Sequence, residues 1–331
     1  MGAVITAWSA ISAGGSGRAA LDPARARATV LDERHPMLRG LVAEQFVVED
    51  ALGKKGTASM DRCSALAVAV ARDLLADVEV DVLTGVVLGT TSGSAQTQWE
   101  FTSDSLTRRK PYFVNPAMMP YALMNSAASQ VAIWHGLRGP NSTIAGGRMS
   151  GLSGLRYSAR LLATGRARAV VCGAVEECSM PRAWLERHRD GDRLPGEGAA
   201  VMLLEPQGAA RHPLAEVLGV ETRVAVDGDL RAALVECVRS VLARCGYAAG
   251  DVDTAAVSAP GSRLADAEHA GIEQALSGMP AKVLDPGAYL GDLGAAVGPF
   301  QLVAMLAEPG LGLVTALDAD GNAGCALLRV S

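Results

Sequence analysis

Aromatic residues are scarce, at 4% of the 331 residues, and positive charge is in deficit. Thirty Lys and Arg face thirty-five Asp and Glu, a formal net charge of −5. No overall basic field therefore exists to hold nucleic acid or an acidic membrane; Arg108-Arg109-Lys110 reads as a solvated loop. Long apolar runs are missing too. The longest uncharged stretch, Pro111 to Leu137, is broken by Pro116, Pro120, Asn125, Ser126 and Gln130, so it is no membrane span. The six cysteines (Cys63, Cys172, Cys178, Cys237, Cys245, Cys325) include no C-x-x-C pair, and most sit in apolar runs as small hydrophobes. No basic segment precedes an apolar one at the N-terminus, so a reduced, cytoplasmic protein is expected. Met1 to Thr6 fits a myristoylation pattern, but Val4 to Trp8 reads better as a first β-strand. His35, His135, His188, His212 and His269 show no metal-like spacing. Gly14 to Gly17 and Gly89 to Gly93 fit neither a dinucleotide nor a Walker pattern, so no metal and no cofactor is expected.

What the chain has is apolar content, 49% of its residues, ample for a sizeable core. Its length favours two domains or one large α/β body. Short apolar runs alternate with helical ones. Cys63 to Leu75 carries Leu66, Val70 and Leu74 at helical spacing; Val82 to Leu88 is an apolar run; Leu152 to Leu162 is helical; Ala169 to Cys172 and Val201 to Leu204 read as strands. Pro206 to Pro213 is the candidate linker. Beyond it the theme repeats: strand-like Ala215 to Val220, a helix from Leu230 to Cys245, a strand from Thr254 to Ser258, a helix from Asp266 to Leu276. A last helix spans Gly294 to Leu306, then two strand-like runs, Gly312 to Leu317 and Cys325 to Val330. Two similar α/β halves follow, residues 1–205 and a shorter 206–331.

Five segments in order resemble the ketosynthases of fatty-acid and polyketide synthesis. They are Val4 to Ser12, Met60-Asp-Arg62, Gly136-Leu-Arg-Gly-Pro-Asn141, Gly196-Glu-Gly198 and Val201-Met-Leu-Leu-Glu205. The resemblance implies the thiolase-like layered αβαβα fold of two similar halves. In that family a Cys at the start of a buried helix is activated by the helix dipole and attacks an acyl thioester. Two histidines support decarboxylation and stabilise the oxyanion.

Here those groups are replaced. Arg148 stands at the nucleophile position, and a guanidinium stays protonated and is no nucleophile. Pro260 to Leu264 occupies the place of the first His stretch. Gly291 or Asp292 takes the place of the second, and Asp318-Ala-Asp-Gly321 that of the gating Gly-Phe-Gly-Gly. The chain is similar to the chain length factors of type II polyketide synthases, which lack the Cys and pair with an active ketosynthase. Ala145-Gly-Gly-Arg-Met-Ser-Gly-Leu152 and Pro195-Gly-Glu-Gly198 lean that way; Arg148 in place of the usual Gln, and the short second half, depart from it.

Arg148 either binds a malonyl carboxylate or plugs the vacated site; a buried Arg needs a carboxylate, and Asp292 or Asp318 are the candidates. Glu176-Glu177 reads as a structural turn. The resemblance places Trp99 to Asn125 near a dimer seam, with Trp99, Phe101, Ser105, Met118, Met119 and Met124 as tunnel-lining or plain packing residues. The implied function is a non-catalytic subunit that pairs with a Cys-bearing ketosynthase and helps set polyketide or polyene length, with an acyl carrier protein as second partner. The alternative is an acyl-transfer or thioesterase-like enzyme on the same fold, acting through Ser150 or Ser142.

Overall fold

The computed structural model describes residues 2–190, 193–209, 212–258 and 263–331. The first strand is β1 (Ala3–Ser12), followed by the short β2 (Gly15–Ser16), β3 (Ala28–Val30) and β4 (Arg39–Leu41). Then come α1 (Val48–Leu52), α2 (Arg62–Leu75), β5 (Gly85–Thr90), α3 (Ala95–Thr107), α4 (Ser126–His135) and β6 (Asn141–Ala145). Helix α5 (Ser150–Ala163), β7 (Val170–Glu176), α6 (Met180–Asp190) and β8 (Gly198–Pro206) complete the first set. The second set comprises β9 (Ala215–Val224), α7 (Leu230–Cys245), β10 (Thr254–Ala256), α8 (Arg263–Leu276) and β11 (Lys282–Leu284). It closes with α9 (Gly287–Leu290), α10 (Val297–Met305), β12 (Gly310–Asp318) and β13 (Asn322–Val330).

The hydrogen-bonded order β11-β10-β12-β13-β9-β1-β8-β7-β5-β6 contains the same arrangement twice. In β6-β5-β7-β8-β1 the first three strands are parallel and the rest antiparallel, and β11-β10-β12-β13-β9 repeats that pattern. Only Ala3 to Ile5 and Ala215 to Val217 join the two.

Side-chain alternation along the strands builds the layers. In β8, Ala199, Val201 and Leu203 face α2 and α4, while Ala200, Met202 and Leu204 face α5 and α10. In β13, Ala326, Leu328 and Val330 join that same central cluster, while Ala323, Cys325 and Leu327 pack with α7 and α8. Helix, sheet, helix, sheet, helix is the result: the αβαβα architecture, with α5 and α10 sandwiched in the middle.

Several element ends differ from the expectation. Val82 and Leu83 are exposed, and the strand begins only at Gly85, because Asp81 organises a turn with Leu83 and Thr84. Ala169 to Cys172 extends to Glu176, where strand pairing continues to Gly198. The stretch after Gly291 starts as a 3-10 turn, Gly294–Ala296, before α10. Pro260, Gly261 and Ser262, like part of the linker, lie outside the described residues.

Candidate functional site

The two central helices start alike. A 3-10 turn, Gly147–Met149, precedes α5, and Gly294–Ala296 precedes α10. Each opens on a glycine in the left-handed region, Gly147 at φ 55° and Gly294 at φ 51°. Both helix starts present backbone N–H groups and a positive dipole end, a setting that favours anions. The anions present are carboxylates. Asp318 accepts from the Arg148 N–H at 2.7 Å, Asp292 from the Gly294 N–H at 3.0 Å, and Glu176 from the Ala295 N–H at 3.3 Å.

Arg148 brings a cation into this acid-lined junction and is buried. Its Nε donates to Asp292 Oδ1 at 3.3 Å and its Nη2 to Asp292 Oδ2, a two-pronged pair. Burial alone would raise the Asp292 carboxyl. The charge and hydrogen bonds of Arg148, with Arg193 and Arg182 behind, hold it well below its ordinary value. Of the two residues expected from the resemblance at the second histidine's place, Gly291 and Asp292, Asp292 is the one that meets Arg148. Between Thr91, Gly147, Arg148, Asp292, Gly294 and Asp318 a cavity of only about 10 Å³ remains. That is at most the room of a single water.

Sequence reasoning missed α6 as a supplier. Buried Arg182 donates to the carbonyls of Gly196 and Asp292, each at 2.8 Å, and lies 3.7 Å from Glu186 and 3.9 Å from Glu176. Arg189 pairs with Asp318 at 2.8 Å and Asp320 at 3.1 Å. The available signal was spacing: Arg182, Glu186 and Arg189 recur at helical intervals on one face. Four guanidiniums, those of Arg148, Arg182, Arg189 and Arg193, thus meet four carboxylates, those of Asp292, Asp318, Glu176 and Glu186. Burial pushes the Glu176 and Glu177 carboxyls up. Glu177 accepts from Ser94, Gln96 and Ser179, bonds that tie it to the start of α3.

The serines of the alternative reading sit differently. Ser150 is fully buried; its hydroxyl accepts from the Gly146 N–H at 2.8 Å and donates to the Thr90 carbonyl at 3.3 Å, closing the turn. Ser142 lies on β6, paired with Val87. The imidazoles bond elsewhere: His35 to Asp32, His135 to the Val68 carbonyl, His188 to the Trp184 carbonyl, His269 to the Ala265 carbonyl. Among the described residues, no group of three or more His, Cys, Asp or Glu could hold a metal ion. The buried thiols are pushed up by desolvation, Cys172 and Cys178 to about 12, which disfavours thiolate.

The residues singled out between Trp99 and Met124 gather on α3 and on a 3-10 segment, Pro116–Ala122, with its following loop. Trp99 is 46% exposed, Met119 and Met124 each 49%; Phe101, Ser105 and Met118 are half-buried. Nearby, Leu106 and Ile133 are exposed by 79% and 72%. Such a density of uncovered large side chains marks an interaction face. Strand β6 is the last in the sheet order, paired with β5 alone. No helix among the described residues is long and apolar enough to cross a membrane.

Residues 3–191 match the family described as beta-ketoacyl synthase, N-terminal domain. Among solved structures, the ishigamide ketosynthase/chain length factor is similar at 38% identity and a TM-score of 0.91, covering 100% of this chain and 99% of that one. A type II polyketide synthase acyl-carrier protein in complex with its ketosynthase, bound to the hexaketide, shares the fold at 15% identity and a TM-score of 0.85, covering 100% and 99% of the chains. The 3-oxoacyl-acyl-carrier-protein synthase 2 of Vibrio cholerae is 28% identical over 219 residues, 57% of this chain and 52% of that protein. The chain thus aligns with about half the length of that curated relative.

Proposed function

The chain belongs to the beta-ketoacyl synthase family, and on that premise we propose that it is a ketosynthase-like subunit that performs no condensation itself. It pairs with a ketosynthase bearing the catalytic Cys and helps set the length of a polyketide or polyene chain that an acyl carrier protein delivers. One observation carries this reading: the Arg148–Asp292 pair fills the junction of the two central helices and leaves about 10 Å³. A malonyl carboxylate would find the guanidinium engaged on two of its nitrogens and no space beside it. Arg148 acts as the plug. The 38% identity to a ketosynthase/chain length factor supports the assignment, and the uncovered α3 face supports a partner.

The test is reconstitution with the ketosynthase and an acylated carrier protein. Intact mass should show acyl groups on the ketosynthase and none on this chain; an adduct here overturns the reading. Arg148→Cys should leave this chain unable to condense, since Pro260 and Asp292 stand where imidazoles are needed. Phe101→Ala should lengthen products and Ser105→Trp shorten them. An unchanged length distribution across Phe101, Ser105 and Met119 variants would remove the length-setting role from this segment.

A further inference from the structure

Each half of the sheet pattern sends a carboxylate into the other half. Strands β7 and β12 hold the same third place in their halves, and β7 ends on Glu176 while β12 ends on Asp318. Helices α5 and α10 hold equivalent places between the sheets, each behind a three-residue turn that opens on glycine. The second residue of each turn donates its N–H across the halves: Arg148 to Asp318 at 2.7 Å, Ala295 to Glu176 at 3.3 Å. Each carboxylate also accepts from its own half, Glu176 from the Thr91 N–H and Asp318 from the Asp320 N–H at 3.0 Å.

The close approach is repeated as well. A Cβ on Gly147 would collide with the Asp318 carboxylate, and one on Gly294 would press on Glu176 at 3.2 Å. Helix α6 then holds both acids at once, with Arg182 3.9 Å from Glu176 and Arg189 2.8 Å from Asp318. The spacing of these two arginines along α6 amounts to about two turns of one face. Arg182 also donates to the Asp292 carbonyl, and the Asp292 carboxylate holds Arg148. A continuous chain of polar contacts therefore runs from Glu176 through Arg182, Asp292 and Arg148 to the start of α5, although the helix-start N–H that Glu176 receives belongs to α10.

Buried polar networks of this kind hold or fail together, because in a low dielectric each unpaired group is costly. We propose that the exchanged carboxylates couple the two helix starts, so that α5 and α10 open at the junction as one unit or stay closed as one unit. Loosening the turn before α10 then unseats Arg148, which lies before α5. The device keeps the plug in place, and it stands whether or not the chain pairs with a ketosynthase.

The experiment is amide hydrogen exchange on the folded full chain, read at the starts of α5 and α10 by mass spectrometry. Glu176→Gln and Asp318→Asn keep the shape and one acceptor oxygen while removing the charge. Each should speed exchange about tenfold or more at the helix start it bonds, and also at the one it does not. Ile272→Val trims a buried side chain in the core under α7 and α8 and sets the effect of lost stability alone. Should either carboxamide variant fail to fold, Arg189→Gln removes an Asp318 partner at the rim of the junction and should speed both starts in the same way. Acceleration at both starts, with the β8 amides unchanged, supports the coupling. Acceleration confined to the directly bonded helix, or no greater at the second helix than in Ile272→Val, would overturn it.

Discussion

The loop between Thr90 and Ser94 joins two regions that treat charge in opposite ways. At its inner end Thr91 borders the plugged junction, where each carboxylate faces a guanidinium and about 10 Å³ is left. At its outer end Ser94 caps α3 and borders an open cavity of about 350 Å³ lined by Asp61, Glu100 and Glu177. The inner region matches its charges within the chain; the outer one leaves acids in excess and, on the same helix, large apolar side chains uncovered. An association that covers the α3 face would gain more than one at the junction.

The largest expected effect breaks the inner region. Asp292→Ala leaves Arg148 buried without its main counter-charge and should cost about 3–5 kcal/mol in chemical denaturation. Replacing both, Arg148→Met with Asp292→Leu, should restore most of that loss. A single-variant cost under about 1 kcal/mol would mean the pair is not desolvated. The outer region should respond the other way round. Trp99→Ala should change the isolated chain's stability by no more than about 0.5 kcal/mol, yet weaken the complex by about 2 kcal/mol or more in titration calorimetry.

A pH series separates the two regions more gently. The Asp292 carboxyl is depressed below 3.8, so its contribution is complete above that value and is lost as pH falls through its folded-state pKa. Glu176 and Glu177 are raised, so their burial cost is present above their folded-state pKa values and is relieved as pH falls through them. Melting temperature should accordingly climb slightly as pH falls through the raised Glu176 and Glu177 values toward 4.5, and drop once pH falls below 3.8, the ordinary value of Asp292. Asp292→Asn should remove the acid drop and leave the climb. Smallest of all, Leu106→Ser at the exposed end of α3 should move stability by about 0.5 kcal/mol at most, measured by thermal melts.

Most of the framework was legible in the sequence because it rests on periodicity. Leu230 to Cys245 reads as a helix with both ends correct, since Asp229 caps one end and Gly246 the other. Edges failed where local chemistry overrode hydrophobicity, as at Val82 and Leu83, apolar yet held in an Asp81 turn. At the site, Arg148 was singled out by the family resemblance alone, and Asp292 was left tied with Gly291 until the fold brought it to the guanidinium. The spacing of Arg182, Glu186 and Arg189 puts them on one face of α6 but does not say what that face meets. Arg182 meets Asp292 across 110 positions, and no local pattern encodes such a contact. The doubled strand order was hidden for the same reason, being a property of pairing rather than of any segment.

The Gly147-Arg148 turn limits what position 148 can become. Gly147 adopts a positive φ, and a side chain there would collide with the Asp318 carboxylate, so the turn admits little besides glycine. A cysteine at position 148 alone would set a thiol between Asp318 and Asp292, two negative charges that raise its pKa and suppress the thiolate. Removing Asp292 first would strand the Arg148 guanidinium, and removing Asp318 first would take the buried partner from Arg189. Each single change toward a nucleophile at this position is thus unfavourable beside the present pair, and the site resists piecemeal conversion.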